Sequence, residues 1–272
     1  MREQILRMVR YNYDTVEVQN ILRKFVQGKE IDQLLFSGAK WLLVRHRIAT
    51  LLHKMNLESI KRINAVLPYA FAEGANVTIY FMSEPLLPYI PQERLVNPYK
   101  LNRKDISWLE KKIQVCVNSA VIQKNDLPRM ASDLVLALTE RMMDGIKQAA
   151  VYGAFDAGIY QAGKDAEEAG IEVEKTWLGI LDKRIRDSHR HLHNTTIPFD
   201  EVFHGLNGDL RFPHDPKAPP SETYRCRCKM AVHKKGKEIR WYDELTPSEV
   251  AAYRKWRDKA IQEAKDELWQ KR

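Results

Sequence analysis

"DKRIRDSHRHLHNTTIPFDEVF" runs from Asp182 to Phe203 and places His189, His191 and His193 within five residues. "TYRCRCKM", residues 223–230, follows it and holds two of the chain's three cysteines. In an extended chain, residues two apart share a face. Tyr224, Cys226, Cys228 and Met230 then point one way, and Arg225, Arg227 and Lys229 the other. That is the pattern of a half-buried strand with a basic outer face. Just upstream, "IEVEKTWLGI" (171–180) alternates like a strand as well. From there to Arg240 the chain is rich in Pro, Gly and His, which implies short elements joined by long loops. The fold class expected is α+β: a mainly helical N-terminal region, a small α+β module with short strands, and a C-terminal helix.

The flanking sequence reads as helix. Asp14 and Glu17 form a capping-box-like start to "TVEVQNILRKFVQG", which stops at Gly28. Leu34, Trp41, Ile48, Leu52 and Met55 recur near helical spacing. "ESIKRINAVLPYAFAEG" (58–74) reads as a further helix, kinked at Pro68 and ended by Gly74. "NVTIYFM" (76–82) is short, apolar and rich in β-branched and aromatic residues, so it is expected to be a strand. Four prolines then mark an extended connector near 84–102. Ser107 is expected to cap a helix carrying Leu109, Ile113, Cys116 and Ala120 on one face, with Cys116 a small core residue. A long helical stretch follows to about Ala169, and its Ala/Gly-rich later part predicts close helix packing. Near the end, Thr246, Pro247 and Glu249 form a capping box for a helix. Its apolar stripe is Val250, Tyr253, Trp256, Ile261, Ala264 and Leu268. The divisions expected are 1–172, 173–240 and 241–272.

Hydrophobic residues make up 44% and charged residues 29%, a globular composition. No apolar run reaches the roughly 18–20 residues that span a bilayer. Three cysteines are too few for a disulfide framework, so a reducing, intracellular setting is expected. The formal charge is +8, and residues 211–240 hold nine Lys/Arg against three acids. Arg225, Arg227, Lys229, Lys234, Lys235 and Lys237 are therefore candidate nucleic-acid contacts, weighed evenly against a plain solvated face.

Three chemistries compete for the histidine and cysteine clusters. Zinc accepts mixed thiolate and imidazole ligands, which makes His189, His193, Cys226 and Cys228 a candidate set. No C-x-x-C pair occurs, and Arg190 stands where a metalloprotease helix carries Glu, so zinc ranks below a metal-free core. A catalytic reading uses His189 as acid or base, Asp182 or Asp187 to orient it, and Arg186 to hold a phosphate. These types suit a nuclease and suit equally a hydrogen-bonded scaffold. The scaffold reading places His189 with the Cys226/Cys228 strand in one core, Asp182 and Arg186 in a polar network beside it, and His191 more exposed.

The run from Lys175 to Cys228 resembles the C-terminal module of the phage Mu F-like head morphogenesis family, minor head proteins of tailed bacteriophages. Trp177, Asp182, Arg184, Arg186, His189, Pro198, Phe199, Pro219, Pro220, Cys226, Arg227 and Cys228 fall in order on that family's pattern. Thr139 and Glu140 weakly echo a further family motif, and Asn194 stands where the family has glycine. The resemblance implies a structural role in the phage head with no catalytic residues and no cofactor. The implied partners are the portal protein, the major capsid or scaffolding protein, and packaged double-stranded DNA. The implied location is the virion, inside the head near the portal, after assembly in the host cytoplasm. Trp177, Asp182, Arg184, Arg186, His189, Cys226, Arg227 and Cys228 become structural motif residues on this reading. The rival is a metal-assisted nuclease or toxin-like enzyme that uses His189 and Asp182.

Overall fold

The computed structural model describes residues 1–101 and 105–270 of the chain. The fold is α+β, with helices before and after a small antiparallel sheet. Two compact units divide it: Met1–Met8, Ala65–Pro98 and Gln148–Arg272 in one, Val9–Asn64 and Tyr99–Lys147 in the other.

The second unit is built from helices α2 (Val16–Val26), the first part of α3 (Gly38–Met82), α4 (Asp105–Ile122) and α5 (Leu127–Val135). Val18 and Leu22 of α2, Trp41, Ile48 and Leu52 of α3, and Leu109, Ile113 and Val117 of α4 fill its core. They recur at four and seven residues, so each helix buries one stripe. Helix α2 opens where Asp14 accepts the Val16 N–H at 2.8 Å, a turn-type contact in place of the expected capping box. Gln27 and Gly28 end it with positive φ. Asp126 caps α5 by accepting the Arg129 N–H at 2.8 Å.

Several expectations for the helices are corrected. Leu34 precedes α3 and is 83% exposed, so it does not join the Trp41 stripe. Ser107 lies inside α4, which starts at Asp105. Residues 58–74 and 76–82 are one continuous helix with Pro68 and Gly74 inside it. The strand expected at 76–82 is absent because residues 71–79 are buried on every side. A helix buried all round loses its periodic signature, and a short apolar run then reads like a strand.

The first unit holds α1 (Arg2–Met8), the end of α3, helix α6 from Gln148, the sheet and the C-terminal helix α9 (Pro247–Gln270). Helix α6 (Arg141–Glu168) continues from α5 through a π turn at Leu136–Glu140, which holds Thr139 and Glu140. The expected close helix approach is present. A Cβ at Gly74 would fall on the Phe155 carbonyl, and one at Gly158 on the Phe71 carbonyl, so α3 and α6 meet backbone to backbone. The capping box at α9 is formed, with the Thr246 N–H donating to Glu249 at 2.9 Å. Tyr253 of the expected stripe is buried and Val250, Trp256, Ile261 and Ala264 are half-buried; the Leu268 side chain lies outside the described residues.

The sheet has order β2-β1-β5, all antiparallel: β1 is Val173–Leu178, β2 Thr195–Pro198 and β5 Lys229–Lys234. Trp177 stands opposite Thr195 on one side and Met230 on the other. Central β1 alternates as the sequence predicts. Lys175 and Trp177 face one layer, and Thr176 turns away to meet Thr196 at 2.8 Å and His233 at 3.0 Å. A hairpin of β3 (Phe203–Gly205) and β4 (Gly208–Leu210) and two one-turn helices, α7 (Asp187–Arg190) and α8 (Pro220–Thr223), complete the module. Asn194 takes φ 61°, the left-handed conformation that asparagine tolerates, between α7 and β2.

Candidate functional site

His189 enters from α7, and Cys226 and Cys228 from the segment that leads into β5. That segment is shorter as a strand than expected. Arg225 has φ 53°, which breaks the alternation, so Tyr224 turns out to solvent at 48% exposure and the strand starts at Lys229. Cys226, Cys228 and Met230 keep the inward face.

His189 Nδ1 lies 3.5 Å from Cys226 Sγ and 3.4 Å from Cys228 Sγ. All three residues are buried, and the three ligand atoms lie within 4.8 Å of one another. No other such group of His, Cys, Asp or Glu occurs among the described residues, and His193 is not part of it. The Cys228 thiol is lowered to about 4, first by its hydrogen bond from Cys226 and then, against burial, by His189. Cys226 is pushed well above its ordinary value by the same shared hydrogen bond and by burial. The Trp177 ring packs edge-on against His189 at 5.2 Å and against Phe203 at 5.2 Å, closing the cluster on the sheet side.

The other ring nitrogen of His189 faces Glu222 of α8. Nε2 and Glu222 Oε2 are 2.8 Å apart, though off the line of a hydrogen bond, and both side chains are at most 1% exposed. Ser188 donates to Glu222 Oε2 at 2.8 Å, and Asn207 donates to Oε1 from its backbone (3.1 Å) and its side chain (2.6 Å). Burial pushes the Glu222 carboxyl up, but these donors and His189 together bring it below its ordinary value. One buried carboxylate thus ties α7, the β3–β4 turn and α8 together.

A second buried network holds the backbone of the cysteine segment. Arg2 donates to the Cys228 carbonyl at 2.9 Å and the Arg227 carbonyl at 3.0 Å, and lies 3.8 Å over the Tyr152 ring. Its guanidinium is 3.7 Å from Asp156, which is 2.8 Å from His214 Nδ1. His214 Nε2 donates to the Cys226 carbonyl at 2.7 Å. Burial raises the Asp156 carboxyl.

The remaining candidates lie elsewhere. Asp182 is 37% exposed at its side chain and pairs with Arg227 at 2.6 Å and Arg184 at 3.3 Å, not with His189 or Arg186. Arg186 donates instead to the Tyr224 carbonyl. The polar network beside the core is therefore Glu222, Ser188 and Asn207 rather than Asp182 and Arg186. A carboxylate and a guanidinium in the loop at 182–186 reach a surface partner without giving up their hydration. His191 is exposed, as expected. Of the six basic candidates, four meet carboxylates: Arg227 with Asp182, Lys229 with Asp243, Lys234 with Glu84 and Lys235 with Glu172. Arg225 lies over the Tyr224 ring, and no ion pair of Lys237 occurs among the described residues.

Sequence reading passed over Glu222, Ser188, Asn207, Arg2, Asp156 and His214. The available signals were slight: Glu222 follows Pro219-Pro220, and His214 sits in "PHDP".

Residues 122–231 match the family model described as Phage Mu protein F like protein. An NAD(+)–arginine ADP-ribosyltransferase, EFV, of Enterococcus faecalis (strain ATCC 700802 / V583) is 33% identical over 69 residues, 24% of this chain. The chain covers 13% of that protein's length. No solved structure matches the chain. No helix among the described residues is long and apolar enough to cross a membrane.

Proposed function

We propose that this chain, a member of the Phage Mu protein F-like family through residues 122–231, is a structural minor head protein of a tailed phage or prophage. It acts in head assembly beside the portal, inside the capsid. The observation that carries this reading is the enclosure of four of the motif residues, Trp177, His189, Cys226 and Cys228, together with the carboxylate of Glu222. His189, Cys226 and Cys228 are 1%, 2% and 3% exposed, and Trp177 and Glu222 are fully covered. Groups so enclosed hold a fold together and offer a substrate no approach. The acid–base pair that a nuclease reading requires is not assembled, since Asp182 lies with Arg227 at the surface and His189 faces Glu222 in the interior.

A protein partner is also supported by the second unit. Trp108, Val115 and Ile122 recur every seven residues along α4 and are 41%, 60% and 74% exposed. An apolar stripe of this kind on a helix is a feature of protein-binding surfaces. Contact with packaged DNA has thinner support, because four of the six basic candidates already face carboxylates.

Co-expression with the portal protein of the source genome tests the reading. The two proteins should co-purify, and Val115→Glu with Ile122→Glu should weaken the association. Hydrolysis of DNA or RNA in the presence of divalent metal, lost in His189→Ala with the fold intact by circular dichroism, would overturn the structural role.

A further inference from the structure

The geometry points to a zinc site in which His189 Nδ1, Cys226 Sγ and Cys228 Sγ are three ligands and a water molecule is the fourth. In a zinc tetrahedron with Zn–S of about 2.3 Å and Zn–N of about 2.0–2.1 Å, sulfur and nitrogen sit about 3.5 Å apart along an edge. The two S···N distances here are 3.5 Å and 3.4 Å. Taken alone these distances also fit thiols hydrogen-bonded to an imidazole, so they do not decide the matter.

The opposite side of the histidine favours a metal. A metal-bound histidine characteristically turns its second ring nitrogen to a carboxylate, which fixes the tautomer and makes the ring a better donor. His189 Nε2 is 2.8 Å from Glu222, and Glu222 is fixed in turn by Ser188 and by two donors from Asn207. A carboxylate so fully held is costly to bury for packing alone, because every one of its partners must also leave water. A proton on Nε2, the nitrogen that faces Glu222, would leave the Nδ1 lone pair to the two sulfurs, which is the tautomer a metal needs. Neither cysteine is in a disulfide. Both sulfurs are therefore available as thiolate ligands, with their protons released to solvent on binding. Two thiolates and an imidazole select a soft, tetrahedral ion and disfavour Mg²⁺ or Ca²⁺, whose ligands are oxygen. Trp177 and Phe203 supply the apolar wall behind the site. Such a metal would tie α7 to the cysteine segment. The proposal stands apart from the head-assembly role, since metal content can be read whatever the partner.

The test uses the full chain without a polyhistidine tag, purified in reducing buffer without chelator. Elemental analysis should find about one zinc per chain, released when a mercurial blocks the thiols. Cobalt(II) added to the reduced, metal-stripped protein should give thiolate-to-metal charge transfer and the intense visible bands of a tetrahedral site. Because Cys226→Ser and Cys228→Ser could unfold the module, the cobalt spectrum of the unsubstituted chain is the primary readout. Glu222→Gln should keep the cobalt spectrum while lowering zinc affinity about 10–100-fold. Less than a tenth of a zinc per chain, together with no cobalt–thiolate band, would overturn the proposal. So would a zinc content that His189→Ala leaves unchanged.

Discussion

Lys175, in the middle of β1, has a fully buried side chain, and its ammonium has no hydrogen-bond partner among the described residues. Its surroundings are the rings of Tyr160, Phe199 and Phe203, with centroids at 5.2, 5.3 and 5.5 Å. Burial, followed by the nearby Arg211, lowers its pKa from 10.5 to about 8. That shift means the charged form is held at a penalty of about 3 kcal/mol. Cation–π attraction to the rings returns about 1–2 kcal/mol. Lys175→Met keeps most of the aliphatic stem and removes the charge, so it should stabilise the first unit by about 1–2 kcal/mol at neutral pH, the difference of the two terms. The pH dependence gives an independent reading. Between about pH 8 and 10.5 the folded lysine has lost its proton while the unfolded one keeps it, so stability of the natural chain should rise with pH there. The Met variant should lack that rise. Urea unfolding at several pH values, with hydrogen exchange read in residues 173–178, makes both measurements. A Met variant less stable than the natural chain at neutral pH, with the rise at high pH still present, would refute the reasoning.

The other predictions follow the buried and exposed carboxylates. Glu222→Ala strands the donors of Ser188 and Asn207 and leaves His189 without its carboxylate, and should cost about 2–4 kcal/mol in thermal or urea unfolding. An unchanged midpoint would contradict the account of the network. Asp182→Ala should do much less at neutral pH, because its pair with Arg227 is at the surface. Asp182 is held below the ordinary carboxylate range, first by Arg227, so its contribution is present above about pH 4 and fades as pH falls further. Natural and substituted chains should therefore converge in acid, and divergence there would count against the pairing. Arg2→Ala leaves two carbonyls and Asp156 buried without their partner, and should cost about 3–5 kcal/mol by the same unfolding assays. Nonspecific DNA binding, if measured across salt concentrations, should be weak, with a shallow slope that Arg225→Ala with Lys237→Ala flattens. A steep slope abolished by Lys234→Ala with Lys235→Ala would show that those ion pairs open to phosphate.

The sheet module was legible because its signals are local. Alternation marked β1 as a strand and put Tyr224, Cys226, Cys228 and Met230 on one face, and the structure keeps all of these but Tyr224 inside. The capping box at Thr246–Glu249 was legible for the same reason, since its atoms lie within one turn. The partner of His189 was not legible. Asp182 and Arg186 are close in sequence, but Glu222, 33 residues beyond His189, reaches it only because α8 folds back over α7. Charge pattern misled in a similar way. Lys234 and Lys235 read as a bare basic stretch, yet their acids, Glu84 and Glu172, come from other segments. The helix at 76–82 was hidden by its own burial, which removes the polar positions that reveal a period.

Arg2 reaches carbonyls at residues 227 and 228, a separation of 226 positions for the Cys228 contact. On a ribosome, Arg2 emerges long before its acceptors. At about 5–20 residues per second, the delay is roughly ten to forty-five seconds. Through that interval the guanidinium stays hydrated, and the cysteine segment has no clasp to close onto it. Contacts of such long range also form late because the intervening chain must first be ordered. A nascent chain halted before residue 228 would hold helices α1 to α8 and still lack this closure. The finished cysteine segment thereby marks a polypeptide synthesised past that point, and a truncated product would be left with the segment open.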